Sequence, residues 1–138
     1  MLLVGIDLVD VEEVERSIAR LGDRYKKRLF SERELASCQD AGSTSALLAG
    51  HLAAKEAAIK VLRPGGRGLD WRSIEVRREL TGKLTVQLSG AASQLAREAG
   101  ITRIEVSLSC SAGQAMAVAL ASHGQCPPAG RSVPEGER

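Results

Sequence analysis

The residues of this chain whose types could do chemistry are few: a carboxylate in an apolar run, a carboxylate–lysine pair, a glycine cluster, two histidines and a cysteine. Asp7 has Ile6, Leu8 and Val9 for neighbours. A carboxylate there is costly unless it is paired, hydrogen-bonded or metal-bound, and the plainer reading is a strand-end residue capping a loop. Glu56 and Lys60 lie four apart, so they stack on one helical face. By spacing alone they read as a surface ion pair worth about 0.3–0.5 kcal/mol. The alanines around them suit close packing against another element or a ligand. Gly65, Gly66 and Gly68 follow at once and would let backbone approach a phosphate. They match neither a P-loop nor a dinucleotide fingerprint, and a helix C-terminus is the wrong dipole end for an anion, so a simple turn competes. His51 precedes Glu56 by five residues and His123 opens a polar tail, which makes no catalytic pair. Cys110 shares a face with Ile104, Val106 and Leu108, which suits a half-buried small residue better than a nucleophile.

The elements that must position these groups follow from periodicity. Leu2 to Val9 is apolar and β-branched and predicts a buried strand. Asp10 and Glu13 resemble a capping box, and Val11, Val14, Ile18 and Leu21 recur at helical spacing, so a helix is expected over 11–21 with Gly22 as its stop. Ser31-Glu32-Arg33-Glu34 is a second capping box opening a short helix toward Cys38. After a polar loop at Asp40 to Ser45, Ala46 to Leu62 predicts a long helix with the stripe Leu48, Leu52, Ile59 and Leu62. The period then drops to two. Leu69, Trp71, Ile74 and Val76 suggest a strand, with Leu84, Val86 and Leu88 as its hairpin partner after a turn at Thr81-Gly82-Lys83. A short helix over Ala91 to Ala99 leads to a second hairpin, Ile104 to Leu108 and Met116 to Leu120, turning over Ser109 to Gly113. That order makes an α+β domain, an antiparallel sheet with the long helix and shorter helices on one face.

A chain of 138 residues fits one such domain. Its bounds are expected at 1–122, because 123–138 holds three of the four prolines and no apolar period and reads as a disordered tail. Aromatics are only 2%, so the core must be aliphatic and stacking platforms for single-stranded nucleic acid are missing. The net charge of +2 is spread over interspersed acids and bases, which leaves no phosphate-backbone footprint. Cys38, Cys110 and Cys126 lack the spacing of a zinc site or a disulfide framework. With no basic leader and no spanning run, the expected compartment is the cytoplasm, away from membranes.

Two segments go beyond pattern. GIDLVDVEEV (5–14) and LAGHLAAKEAAIKVL (48–62) resemble the two motifs of the 4'-phosphopantetheinyl transferase family, in its small trimeric branch of holo-acyl-carrier-protein synthases. Phe30 to Glu34 and the Ser107-Leu108-Ser109 hairpin are similar to further segments of that family, so the likeness runs to about Ser122. The resemblance implies the family's fold, a homotrimer with sites between subunits, and transfer of phosphopantetheine from coenzyme A to a serine of an acyl or peptidyl carrier protein, releasing adenosine 3',5'-bisphosphate. It implies that Asp7 and Glu56 bind Mg2+ with the diphosphate, which accords with a hard cation taking one or two carboxylates plus phosphate oxygens. Lys60 would stabilise charge on the transferring phosphate, and Glu56 or a water on the metal would take the serine proton. Gly65 and Gly66 would admit the nucleotide.

Three positions depart from the family. His51 stands where arginine is common and Cys110 where histidine is frequent, both toward coenzyme A, so Ser111 is expected to serve the nucleotide's 3'-phosphate in part. Glu13, with Glu12 and Glu15, stands where the first helix often carries a base. Carriers present acidic helices, and like charges repel. Arg16, Arg20, Arg24, Lys26, Lys27 and Arg28 lie just beyond and would hold an acidic partner instead. Two other readings stand beside the enzyme: an inactive relative that binds a carrier or acts as a trimeric scaffold, and an unrelated small α+β binding domain. Whether the carrier serves fatty-acid, polyketide or peptide synthesis is open at this point.

Overall fold

The computed structural model describes residues 1–39 and 43–123. Residues 40–42 of the expected loop and 124–138 of the expected tail, Cys126 among them, lie outside the described residues. Strand β1 (Leu2–Asp10) leads into helix α1 (Val11–Leu21), α2 (Asp23–Leu29), α3 (Glu32–Gln39) and the long α4 (Thr44–Leu62). The hairpin β2 (Ile74–Arg78) and β3 (Leu84–Leu88), helix α5 (Gly90–Glu98) and the hairpin β4 (Ile101–Ser111) and β5 (Gln114–His123) complete the order. One antiparallel sheet runs β1-β5-β4-β3-β2. This is the α+β architecture expected from the change of period.

Local chemistry sets the boundaries. Asp10 caps α1 by accepting from the amides of Glu12 and Glu13, but Glu13 does not reciprocate, so the box there is half made. At α3 the box closes: Glu34 N donates to Ser31 Oγ at 3.2 Å and Ser31 N to Glu34 Oε1 at 3.0 Å. Ser43 caps α4, which begins two residues before Ala46. Arg63, in the left-handed region at φ 50°, and Pro64 end it.

Four expectations change. α2 was not foreseen, because its seven residues DRYKKRL bury no side chain and carry no apolar stripe. Trp71–Ser73 is a 3-10 turn rather than strand, capped by Asp70. The last hairpin turns on Ala112 and Gly113 alone, at φ 51° and 73°, so Cys110 falls inside β4. His123 still pairs, exchanging backbone bonds with Met1, so β5 reaches one residue into the segment read as tail.

β1 is also not buried on both sides. Leu3, Gly5, Asp7 and Val9 turn toward the helices, while Leu2, Val4, Ile6 and Leu8 are 53–64% exposed on the bare face. An apolar run tells that a face wants covering, not that the same chain covers it. On the helical face α4 lies almost against β1. A methyl group placed on Gly5 would sit 2.0 Å from the Ala57 carbonyl oxygen, so only glycine fits. The alanines of α4, Ala53, Ala54, Ala57 and Ala58, are all fully buried there and let helix and sheet meet.

Candidate active site

β1 and α4, held together at Gly5, bring three of the chemical candidates into one cluster. Asp7 faces the helix with 13% of its side chain exposed. Lys60 Nζ reaches across from α4 to donate to Asp7 Oδ1 at 3.0 Å and to the Ile6 carbonyl oxygen at 2.7 Å. The Glu56–Lys60 surface pair that spacing suggested is therefore not what forms, because the lysine bonds to β1. Glu56 is drawn to the same place. Burial first, then the neighbouring Asp7 carboxyl, push the Glu56 carboxyl up to about 7, with Lys60 acting the other way. Asp7 and Glu56 thus crowd each other. Asp7 Oδ2 is buried and has no hydrogen-bond partner. A buried carboxyl oxygen left without a partner beside a second carboxyl is costly.

Tyr25 of α2 stands near. Burial, then the Glu13 charge, then the Glu56 charge raise its phenol above the ordinary value, so the ring lies within electrostatic reach of Glu56.

His51 and Cys110 lie elsewhere. They line a groove of about 770 Å³ between α3, α4 and the β2–β4 side of the sheet, together with the cationic Arg33, Arg77, Arg78 and Lys83. Neither Asp7, Glu56 nor Lys60 lines it. His51 Nδ1 is 2.9 Å from the Leu47 carbonyl oxygen, which fixes it as the protonated nitrogen, and 3.7 Å from Cys38 Sγ.

A family model described as the 4'-phosphopantetheinyl transferase superfamily matches residues 3–119. The chain belongs to that superfamily. Its relatives include the holo-[acyl-carrier-protein] synthase of Moorella thermoacetica, 43% identical over 87% of this chain and 93% of its own. That of Herpetosiphon aurantiacus is 40% identical over 85% and 95%. Among solved structures, the Chronobacterium ammoniagenes ACPS–CoA complex matches with a TM-score of 0.77 at 28% identity, over 91% of this chain and 99% of its own. The Helicobacter pylori synthase in complex with coenzyme A gives 0.75 at 29%, over 87% and 100%.

The phosphopantetheinyl transferase fold thus places its candidate residues in two groups rather than one. Asp7, Glu56 and Lys60 converge. His51 and Cys110 share the cationic groove, where Cys110 Sγ lies 3.9 Å from the Ala46 carbonyl oxygen and 3.9 Å from where a Cβ on Gly50 would sit. Cys110 is exposed rather than half-buried, like Ser109 and Ser111 beside it at the end of β4. Gly65 and Gly66 have φ of 61° and 83° with open space around them, as a turn requires. Ser111 is exposed at the end of β4, opposite Gln114.

Sequence reasoning passed over Lys55. The residue is fully buried, paired with the fully buried Glu34 at 2.6 Å, and lies over the Phe30 ring at 5.4 Å. The signal was present: Lys55 falls on the apolar stripe Leu48, Leu52, Ile59 and Leu62, where a charge needs a hidden partner.

Proposed function

We propose that this transferase moves phosphopantetheine from coenzyme A to a serine of an acyl or peptidyl carrier protein, with a magnesium ion held by Asp7 and Glu56. The observation that carries the reading is the orphaned Asp7 Oδ2 beside a Glu56 that holds its proton up to about pH 7. The donor set fits the ion. Among the described residues no group of three or more His, Cys, Asp or Glu side chains is placed to hold a metal, and Asp7 and Glu56 are two. Two carboxylates with vacant positions left for phosphate oxygens and water are what Mg2+ takes. When bound, the ion would neutralise the diphosphate and polarise the transferring phosphorus.

The chain's own groups do the rest. Lys60, anchored on Ile6 and Asp7, sets a fixed positive charge beside the phosphate, where charge grows as adenosine 3',5'-bisphosphate leaves. Glu56 is the chain's own carboxylate at the site that would accept the serine proton. The groove of His51 and Cys110 would take the nucleotide's 3'-phosphate on its cationic wall, with Ser111 next to Cys110 in sequence, whereas Gly65 and Gly66 follow the opposite end of α4. Because that groove and the Asp7 cluster do not share a cavity within one chain, the complete site would form between subunits.

The bare face of β1 supports this. Leu2, Val4, Ile6 and Leu8, with Met116 and Leu120 of β5, form an apolar surface that association would bury, and a homotrimer is the assembly proposed. An Ile6→Asp chain should sediment as a monomer and lose transfer with the lost assembly; a trimer retained by that variant would contradict the interface. For the carrier, Arg20, Arg24, Lys26, Lys27 and Arg28 make no ion pair among the described residues, whereas Arg16 is engaged with Glu12 at 3.8 Å. These free cations are the proposed seat for an acidic carrier helix, and the acids of α1 select which carrier is taken. Among the described residues no helix is long and apolar enough to cross a membrane, Cys38 and Cys110 are free thiols, and the cytoplasm is the proposed compartment.

The direct test is the intact mass of a carrier incubated with coenzyme A, this protein and Mg2+: a gain of one phosphopantetheine that vanishes without the metal supports the reading. Carrier binding without any mass gain would favour the scaffold alternative. A pH dependence follows as well. A ligand must shed its proton to bind a metal. Below about pH 7 the Mg2+ concentration for half-maximal transfer should therefore rise about tenfold per pH unit, and level off above. A flat Mg2+ requirement from about pH 5.5 to about pH 8 would remove Glu56 from the metal.

A further inference from the structure

α4 carries Glu56, and against the sheet it packs alanine methyls together with Ile59, Val61 and Leu62, contacts that attract without fixing a direction. Lys60 ties the helix to Ile6 and Asp7 of β1 on the face that carries Glu56 itself, and a second tie on another side is needed to set the rotation of the helix about its axis. An atom about 6 Å from that axis moves about 2 Å for a 20° turn, the length of a whole Mg–O bond. Lys55 is the neighbour of Glu56 in sequence and points about 100° away from it around the helix. Its three ammonium protons each have one acceptor: the Leu29 carbonyl oxygen at 2.7 Å, the Trp71 carbonyl oxygen at 2.9 Å and Glu34 Oε1 at 2.6 Å. Glu34 is equally occupied. Oε1 closes the α3 capping box on Ser31 N, and Oε2 accepts from Val76 N at 3.2 Å.

From this geometry we infer that Glu34 and Lys55 are positioning residues for the Asp7–Glu56 cation site: their buried ion pair locks the rotation of α4. The pair ties four parts of the fold, the α2–α3 junction, the 3-10 turn, β2 and α4, to one point. Directional bonds do this where apolar packing does not, and setting register is the best-attested use of a buried ion pair. The inference rests on Asp7 and Glu56 being cation ligands.

The experiment measures Mn2+ binding by electron paramagnetic resonance in the presence of coenzyme A, together with kcat and KM. The main variant is Glu34→Leu with Lys55→Met, which removes both charges at similar volume. The control is Leu95→Ala, which loosens the core at α5 away from the site. Glu34→Gln serves as a milder arm should the double variant not melt cooperatively. The expected result is a cooperative melt, Mn2+ binding weakened at least about tenfold in the double variant and about fivefold in Glu34→Gln, kcat falling with it, and KM for the carrier unchanged. Leu95→Ala, at equal or greater loss of Tm, should keep the Mn2+ affinity of the parent. Parent-like Mn2+ affinity in a folded pair variant, or the same loss in Leu95→Ala, would overturn the positioning role while leaving the metal site standing. Absence of Mn2+ binding by the parent protein itself would overturn the metal site, and the inference with it.

Discussion

Glu56→Gln is expected to cut transfer about a thousandfold and, in the same molecule, to raise the Tm of the metal-free protein at pH 8. The first effect is the loss of a cation ligand and of the proton acceptor. The second follows from crowding. The folded protein holds the Glu56 proton up to about 7, against an ordinary value of 4.5. Between those two values the folded state binds more protons than the unfolded one, so this group makes stability fall as pH rises from below 4.5 to above about 7. A glutamine does not ionise, and its amide offers a donor to the carboxylate of Asp7. The variant's advantage should be nil near pH 4 and complete at pH 8, read by thermal melts in chelator at both values. A variant that melts lower than its parent at pH 8 would mean the two carboxylates do not oppose each other. The gain should vanish when Mg2+ and coenzyme A are added, since only the parent is then stabilised by ligand.

Gly5→Ala should be the most damaging small substitution in the chain. Its Cβ would lie 2.0 Å from the oxygen and 3.0 Å from the carbon of the Ala57 carbonyl, and 3.2 Å from Val61 Cγ2. The first two are helix backbone, which has no rotamer to escape into. Overpacking of this kind costs about 3 kcal/mol or more, read by denaturant melts. It also acts on the site, because Gly5 is two residues from Asp7 and Ala57 adjoins Glu56. A shift of about 1 Å between the carboxylates should lower kcat about a hundredfold in whatever fraction folds. Gly68→Ala, with open space around it and no left-handed backbone, should leave both stability and kcat unchanged. Near-parent stability of Gly5→Ala would show that α4 and β1 do not approach as closely as described.

Much of the fold was legible from local signals. The Ser31–Glu34 box closes as its pattern suggested, α1 runs over 11–21 and stops at Gly22, and both hairpins follow alternation of period two. α2 was not legible, because a seven-residue helix without an apolar stripe is stabilised by its setting rather than by its own sequence. The bare face of β1 was hidden for a related reason: alternation is masked when both faces of a strand are apolar, and only the sheet order shows that the helices cover one of them.

The candidate site was legible in part. Asp7 announced itself as an acid in an apolar strand, but nothing in the sequence says that Lys60 would turn to Asp7 rather than to Glu56, since that depends on the approach of α4 to β1. Lys55 was masked by the motif it belongs to. Read as one letter of a matched segment, its place on the buried stripe drew no notice, and its partner Glu34 had already been assigned to a helix cap.

The central claim is that Asp7 and Glu56 hold one divalent ion together with the diphosphate of coenzyme A. Titration of Mn2+ into the protein, followed by electron paramagnetic resonance with and without coenzyme A, tests it most directly. The expected result is one tight equivalent only when coenzyme A is present, lost in both Asp7→Asn and Glu56→Gln. An equivalent bound as tightly by those two variants as by the parent protein would contradict it.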